Sequence, residues 1–234
     1  MVAQETIATR LERVRERIVA AAARAGRRVD EITLVGASKT VEPARIAQAI
    51  AAGLRDFGEN YVQEAEAKLA DPALAAEDVR WHLIGHLQSN KAKTAVRLFG
   101  IIQTLDSERL GTILARQAAA QRKRLAVLLE VDYTGEPDRT GLRPELVPTV
   151  VERVAGESAL EIIGLMTVPA LGLDEPATRA VYRKLRALRE DLARRFPSLS
   201  WQQLSMGMTD DFEIAIEEGA TMVRIGRAIF GERH

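Results

Sequence analysis

The chain has 234 residues, with 33 Lys or Arg against 33 Asp or Glu, so its formal net charge is zero. No global basic field exists to draw in nucleic acid or an anionic membrane. Cysteine is absent, which excludes disulfides, thiolate nucleophiles and cysteine-ligated metals. Glu5, Arg10, Glu12, Arg13, Arg15 and Glu16 break up any signal-peptide core. No later stretch approaches the ~18 apolar residues that a spanning helix needs. A cytoplasmic protein fits this composition best.

Ile7, Leu11, Val14 and Ile18 recur at helical spacing and predict an amphipathic helix ending near Gly26. Residues 32–37 then form a short apolar run rich in β-formers, the texture of a buried parallel strand. The alternation repeats from there. A helix from Pro43 to about Ala52 precedes a weak strand at Arg55-Asp-Phe-Gly, and a helix from about Tyr61 to Leu69 precedes a strand over 80–85. Ser89 to Leu98 is read as helix, 100–105 as strand, Ser107 to Arg122 as helix and 125–131 as the most apolar strand. Arg143 to Ala155 is read as helix despite Pro144 and Pro148, and 161–166 as strand. A long helix from about Pro176 to Phe196 carries Val181, Leu185, Leu188 and Leu192 on one face. Trp201-Gln-Gln-Leu is the seventh strand, Asp211 to Glu218 a helix, and 221–225 the eighth strand. Eight strands alternating with helices predict an α/β fold, a single (β/α)8 TIM barrel with an extra N-terminal helix, forming one domain over 1–234.

In such barrels the active groups lie at the C-terminal ends of the strands. Those ends carry Ser38 and Lys39, Glu59 and Asn60, His82 and His86, Asp106, Asp132, Met166, Ser205 and Gly207, and Arg224 and Gly226. Position alone leaves Lys39 as a strand-end lysine reaching for solvent. Burial at a barrel mouth instead favours the neutral amine that makes Schiff bases. The turns after strands seven and eight, the usual phosphate site of these barrels, contain Gly207 and Gly226 with Ser205 and Thr209 nearby. Two anion-ready turns across from a lysine suit a ligand with both a phosphate and a carbonyl, and pyridoxal 5′-phosphate (PLP) carries both.

His82 and His86 are four apart, but Gly85 interrupts them and no acidic residue lies between them, so no metal is expected. The basic run Arg183, Lys184, Arg186, Arg189, Arg194 and Arg195 reads as a solvated helix face rather than an RNA-binding surface.

Six segments, Val35-Gly-Ala-Ser-Lys-Thr40, Phe57-Gly-Glu-Asn-Tyr-Val-Gln-Glu64, 81–91, Gly164-Leu-Met166, 204–211 and 223–226 with 229–231, closely resemble the pyridoxal phosphate homeostasis protein family across nearly the whole chain. The resemblance implies the fold of the alanine racemase N-terminal domain, PLP fold type III. It implies PLP as a Schiff base on Lys39, phosphate contacts from the Ser205–Gly207 and Arg224–Gly226 turns, and Asn60 and Met166 near the cofactor. It also implies no established catalysis and a role in intracellular PLP (vitamin B6) balance, with PLP-dependent apo-enzymes as recipients. One departure stands in the 134–141 loop, where the family's lysine two residues before the glycine is replaced by Arg139. Arginine keeps the charge but forms no Schiff base at ordinary pH.

The competing expectation is a PLP-dependent amino-acid racemase of weak activity. A two-base racemase needs a second base, which the alanine-racemase-like enzymes take from an extra β-domain. The sequence ends at His234, directly after the eighth unit, so no such domain is expected, and no residue is assigned a catalytic role. Of Tyr61, Tyr133 and Tyr182, only the first two are placed to reach the mouth. An uncovered mouth leaves PLP exposed, which suits handing it on and suits carbanion chemistry poorly. The missing domain also removes a dimer contact, so a monomer is expected. A third reading, an interaction module built on the 183–195 helix, would show salt-sensitive nucleic-acid binding.

Overall fold

A computed structural model describes residues 5–74 and 78–231; the terminal His234 lies outside the described residues. The described chain begins with helix α1 (Ile7–Arg24). It continues as β1 (Thr33–Ala37), α2 (Pro43–Ala51), β2 (Asp56–Glu59), α3 (Val62–Leu69), β3 (Arg80–Leu83), α4 (Ala92–Leu98) and β4 (Ile101–Leu105). Then follow α5 (Glu108–Ala120), β5 (Leu125–Glu130), α6 (Val147–Val154), β6 (Leu160–Met166), α7 (Glu175–Arg195), β7 (Gln203–Ser205), α8 (Phe212–Glu217), β8 (Met222–Ile225) and α9 (Arg227–Phe230). The strands close in sequence order into a parallel barrel, with β8 pairing back onto β1. The expected (β/α)8 barrel with an added N-terminal helix is therefore what forms.

Helix α1 closes the seam between the first and last units. The Thr6 hydroxyl caps it by accepting from the Thr9 N–H. Its stripe of Ile7, Leu11, Val14, Ile18, Ala21 and Ala22 is buried, and it packs on α8, α9 and α2. Arg17 and Arg24 pair with Glu213 and Glu217 of the α8 segment, while Arg27 donates to the carbonyls of Ile216 and Ala220.

The element boundaries depart from expectation where proline or a lone aromatic steers the chain. The helix expected over 143–155 opens as a 3-10 turn at Pro144–Leu146, and only then becomes α6, with Pro148 in its first turn where no N–H is needed. Residues Ser89–Lys91 form a similar turn ahead of α4. The seventh strand starts two residues later than expected, because Trp201 sits outside the sheet and donates its indole N–H to the Phe196 carbonyl at 3.1 Å. The basic run on α7 is not simply solvated: Arg183 and Arg186, with Arg179, converge on the buried Glu218 and brace α7 against α8. On the buried face of α7, Leu185 and Leu192 are joined by Tyr182 and Thr178, while Val181 and Leu188 are only half-buried.

The tightest strand contact lies between β6 and β7. A Cβ added at Gly164 would sit 1.9 Å from the Gln203 carbonyl oxygen, so no side chain fits without moving backbone. We expect Gly164→Ala to destabilise the barrel by about 3 kcal/mol, the scale of overpacking in a site that cannot relax, measured by urea unfolding against wild type.

Candidate cofactor-binding site

The closed barrel has two interiors. Outward-facing strand residues such as Phe57, Trp81, Leu83 and Ile102 join one continuous apolar core beneath the helices. Val35, Leu128, Met166 and Met222 are buried but lie outside that core. Strand side chains alternate faces, so these four mark the lumen. The same parity turns Asp56, His82, Gln103, Glu130, Ser205 and Arg224 inward. A contact of 3.8 Å from Gln103 in β4 to the Met222 sulfur in β8 crosses that lumen directly.

The inward polar groups satisfy one another in a chain. Asp56 accepts from His82 Nε2 at 2.9 Å and from Arg80 at the base of the barrel. Burial works against the Asp56 carboxylate, but the bonds from His82 and Arg80 outweigh it and hold it below the usual range. The Gln103 amide nitrogen donates to His82 Nδ1 at 2.9 Å, which leaves the imidazole proton on Nε2. Ser205 donates its hydroxyl to Gln103 Oε1, and Arg224 donates to Ser205 Oγ at 2.6 Å and to the Thr167 carbonyl at 2.9 Å. Arg224 is fully enclosed, and burial pulls its guanidinium below the usual arginine range.

This corrects the expectation for His82. It sits inside β3, within the lumen, and shares no mouth with His86. Its partners are a carboxylate and an amide rather than backbone. His86 is half-exposed at the rim, with Nδ1 3.2 Å from Asp106. Among the described residues no cluster of three metal-ligating side chains exists.

Lys39 lies half-buried in the turn after β1, followed by Thr40 at φ 62°. It lines a cleft of about 220 Å³ with Ala37, Glu42, Arg45, Gly226 and Arg227. A Cβ at Gly226 would stand 3.1 Å from the Ala37 carbonyl, so glycine allows the β8 turn to pack closely on the end of β1. Gly207, at φ 94°, lets its turn fold against Phe212 and Ala215, and its carbonyl accepts from Arg224 N–H at 2.9 Å. Asn60 follows β2 at the same end, with Gly85 laid directly on its backbone. Met166 is buried at the end of β6, in register with Ser205. Lys39, Asn60, Met166, Gly207 and Gly226 thus gather at one end of the barrel. Ser205, in register with Met166, faces the same lumen; its hydroxyl donates to Gln103 and accepts from Arg224, which leaves its oxygen one further lone pair.

Opposite β1, Glu130 ends β5. It is 8% exposed, with Oε1 accepting from Thr140 at 3.2 Å and Oε2 buried without a partner. Burial, reinforced by Asp106, pushes its carboxyl up to about 6 against the pull of Thr140, Arg224 and His86. The 134–141 loop above it is tied down through Leu142, which donates to the Glu130 carbonyl, and Arg139 there pairs with Glu136 and donates to the Pro169 carbonyl.

Sequence reasoning overlooked Asp56, Gln103, Glu130 and Lys68. Asp56 opens the weakest strand, and Lys68 on α3 resembles any surface helix lysine. Only the parity of Gln103 and Glu130 inside apolar strands signalled an inward direction.

Glu130 gives a pH signature. Its folded carboxyl titrates above the ordinary value, so its contribution is complete below about pH 4.5 and is lost as pH rises through about 6. We expect the stability of Glu130→Gln relative to wild type to rise by about 2 kcal/mol between pH 4 and pH 7, read from denaturant midpoints at each pH.

Comparison with known proteins bears on the same fold. The model of the alanine racemase N-terminal domain matches residues 9–234. The pyridoxal phosphate homeostasis protein of Aquifex aeolicus is 42% identical over 96% of this chain and 97% of its own length. That of Escherichia coli K12 is 40% identical over 97% of each. The structure of PipY from Synechococcus elongatus solved with PLP bound superposes with a TM-score of 0.86 at 35% identity, covering 97% of this chain and 100% of PipY. Alanine racemase of Clostridium difficile shares the fold alone, at a TM-score of 0.72 and 11% identity, with the match spanning 59% of that enzyme. On this evidence the chain belongs to the pyridoxal phosphate homeostasis protein family, built on the alanine racemase N-terminal domain fold.

Proposed function

We propose that this chain is a PLP carrier in vitamin B6 homeostasis that holds the cofactor covalently on Lys39 and acts as one unit over its length. The observation that carries this reading is the cleft shared by the half-buried Lys39 and Gly226. PLP asks for a primary amine, a close backbone approach for its phosphate and polar company for its ring. The bare backbone at Gly226, where a Cβ would crowd the Ala37 carbonyl, and the buried cation of Arg224 fit those needs. When bound, PLP supplies an aldehyde that condenses with a primary amine.

Lys39 would provide that amine. The Arg224–Gly226 turn and the backbone around Gly207 would receive the phosphate, with Arg224 toward the ring and Asn60 and Met166 alongside. The bonds that Arg224 donates to the Ser205 hydroxyl oxygen and the Thr167 carbonyl orient it. Relatives named for PLP homeostasis, and PipY solved with PLP, support the assignment.

The tyrosines support binding without robust turnover. Tyr182 is buried and donates to Asp211 at 2.8 Å. Tyr61 is 62% exposed on the rim, and burial pushes the Tyr133 phenol well up. None of the three is set as a second base. One observation favours a slow racemase-like activity instead: Glu130, with its carboxyl near 6, can take a proton in the neutral range. The carrier reading further proposes a cytoplasmic monomer that passes PLP to apo-enzymes. Among the described residues no helix is long and apolar enough to cross a membrane.

Mixing with PLP should give a near-visible absorbance band in wild type that Lys39→Ala abolishes. An unchanged band in that variant would move the attachment elsewhere. Purified protein that racemises alanine or serine at ordinary enzyme rates would overturn the carrier reading in favour of the enzyme.

A further inference from the structure

The turn carrying Lys39 is gripped from both sides by a buried ion cluster that the binding of PLP does not itself require. Lys68 on α3 is 8% exposed. Its ammonium donates to the Ser38 carbonyl at 2.7 Å, to Glu59 Oε1 at 3.0 Å and to Glu64 Oε1 at 2.6 Å. An ammonium has three N–H groups, and each one here meets an oxygen. The Lys68 nitrogen is therefore fully engaged by oxygens and is not a rival nucleophile to Lys39.

The same carboxylates reach the neighbours of Lys39. Ser38 donates its hydroxyl to Glu59 Oε1 at 2.7 Å, and the Thr40 N–H donates to Glu64 Oε1. Residues 38 and 40 are thus tied to two acids that Lys68 ties to each other. Thr40 sits at φ 62°, a left-handed conformation that a β-branched residue keeps only where its surroundings impose it. Glu59 is fully buried, with its second oxygen unpartnered, so the cluster is sealed at the back of the turn.

Resting on the carrier reading, we propose that Lys68, with Glu59 and Glu64, is a positioning residue for Lys39. The cluster holds the turn in its strained shape and sets the proton affinity of the Lys39 nitrogen. Removing Lys68 leaves the cluster more negative and favours a cation at Lys39. Removing the Glu64 charge does the reverse, and glutamine still accepts from Thr40 N–H. Charged groups that line the same cleft as Lys39 are Glu42 and Arg45 from the α2 segment and Arg227 from α9. All of them persist in both variants, so the difference reports the cluster.

The test titrates the near-visible absorbance of PLP-loaded protein against pH for wild type, Lys68→Met and Glu64→Gln. The midpoint should rise by about one pH unit in Lys68→Met and fall by a similar amount in Glu64→Gln, the order expected of one partly buried charge nearby. The cofactor-free protein gives a second readout. Acylation of Lys39 by an anhydride reagent, followed by mass spectrometry, should slow in Lys68→Met and speed up in Glu64→Gln. A purely structural role would move both variants the same way. Shifts of one sign, or unchanged midpoints and acylation rates, would overturn the proposal. If Lys68→Met does not fold, Glu64→Gln alone decides, since its carboxylate is partly exposed and its hydrogen-bonding shape is kept. A band that survives in Lys39→Ala condemns the carrier reading itself. A band lost there, with midpoints unmoved in the other two variants, condemns only the role of the cluster.

Discussion

Closing eight short parallel strands on themselves creates a lumen that must be filled by side chains, and here much of the filling is polar. Buried donors and acceptors cost free energy unless they find each other. The chain from Asp56 through His82, Gln103 and Ser205 to Arg224 meets that demand in series, each group's remaining bond being supplied by the next. The arrangement holds a buried cation in the lumen, with its direction fixed by bonds to the Ser205 hydroxyl and the Thr167 carbonyl. Loops at the rim can then vary without disturbing it.

The outer layer follows different physics. Helices bury apolar stripes on the strands' outward faces, and their ends are joined by ion pairs rather than by further packing. Glu218 is the clearest case, drawing three arginines of α7 onto one buried carboxylate. Removing one partner of such a cluster would leave charge in a poor solvent, a larger loss than an exposed pair would show.

Much of the fold was legible from periodicity alone, because alternating short β-rich runs and amphipathic helices leave few other architectures. Lys39, Gly207 and Gly226 were legible for the same reason: strand ends locate the mouth. What stayed hidden depends on facing rather than on order. Lys68 lies three helical residues from nothing distinctive, and only the approach of α3 to the back of β1 and β2 turns it inward. His82 was read within the third strand but grouped with its C-terminal end, because the apolar run continues past the last paired residue and hides how deep the histidine lies. The role of the Ser205 hydroxyl depended on Arg224, a partner 19 positions away that no local pattern announces.

Helix α1 lays its apolar stripe across α8 and α9, elements made from the other end of the chain. During synthesis that stripe is made long before α8 and α9, so those partners arrive late. The pairing of β1 with β8 has the same long separation. Contacts of this kind slow folding, because loop closure over the whole chain precedes the reward. Until then α2 covers only part of the stripe, and the remainder is a surface that chaperones hold and that aggregation exploits. The latch that seals the finished barrel is thus also an element left partly uncovered while the barrel is being made.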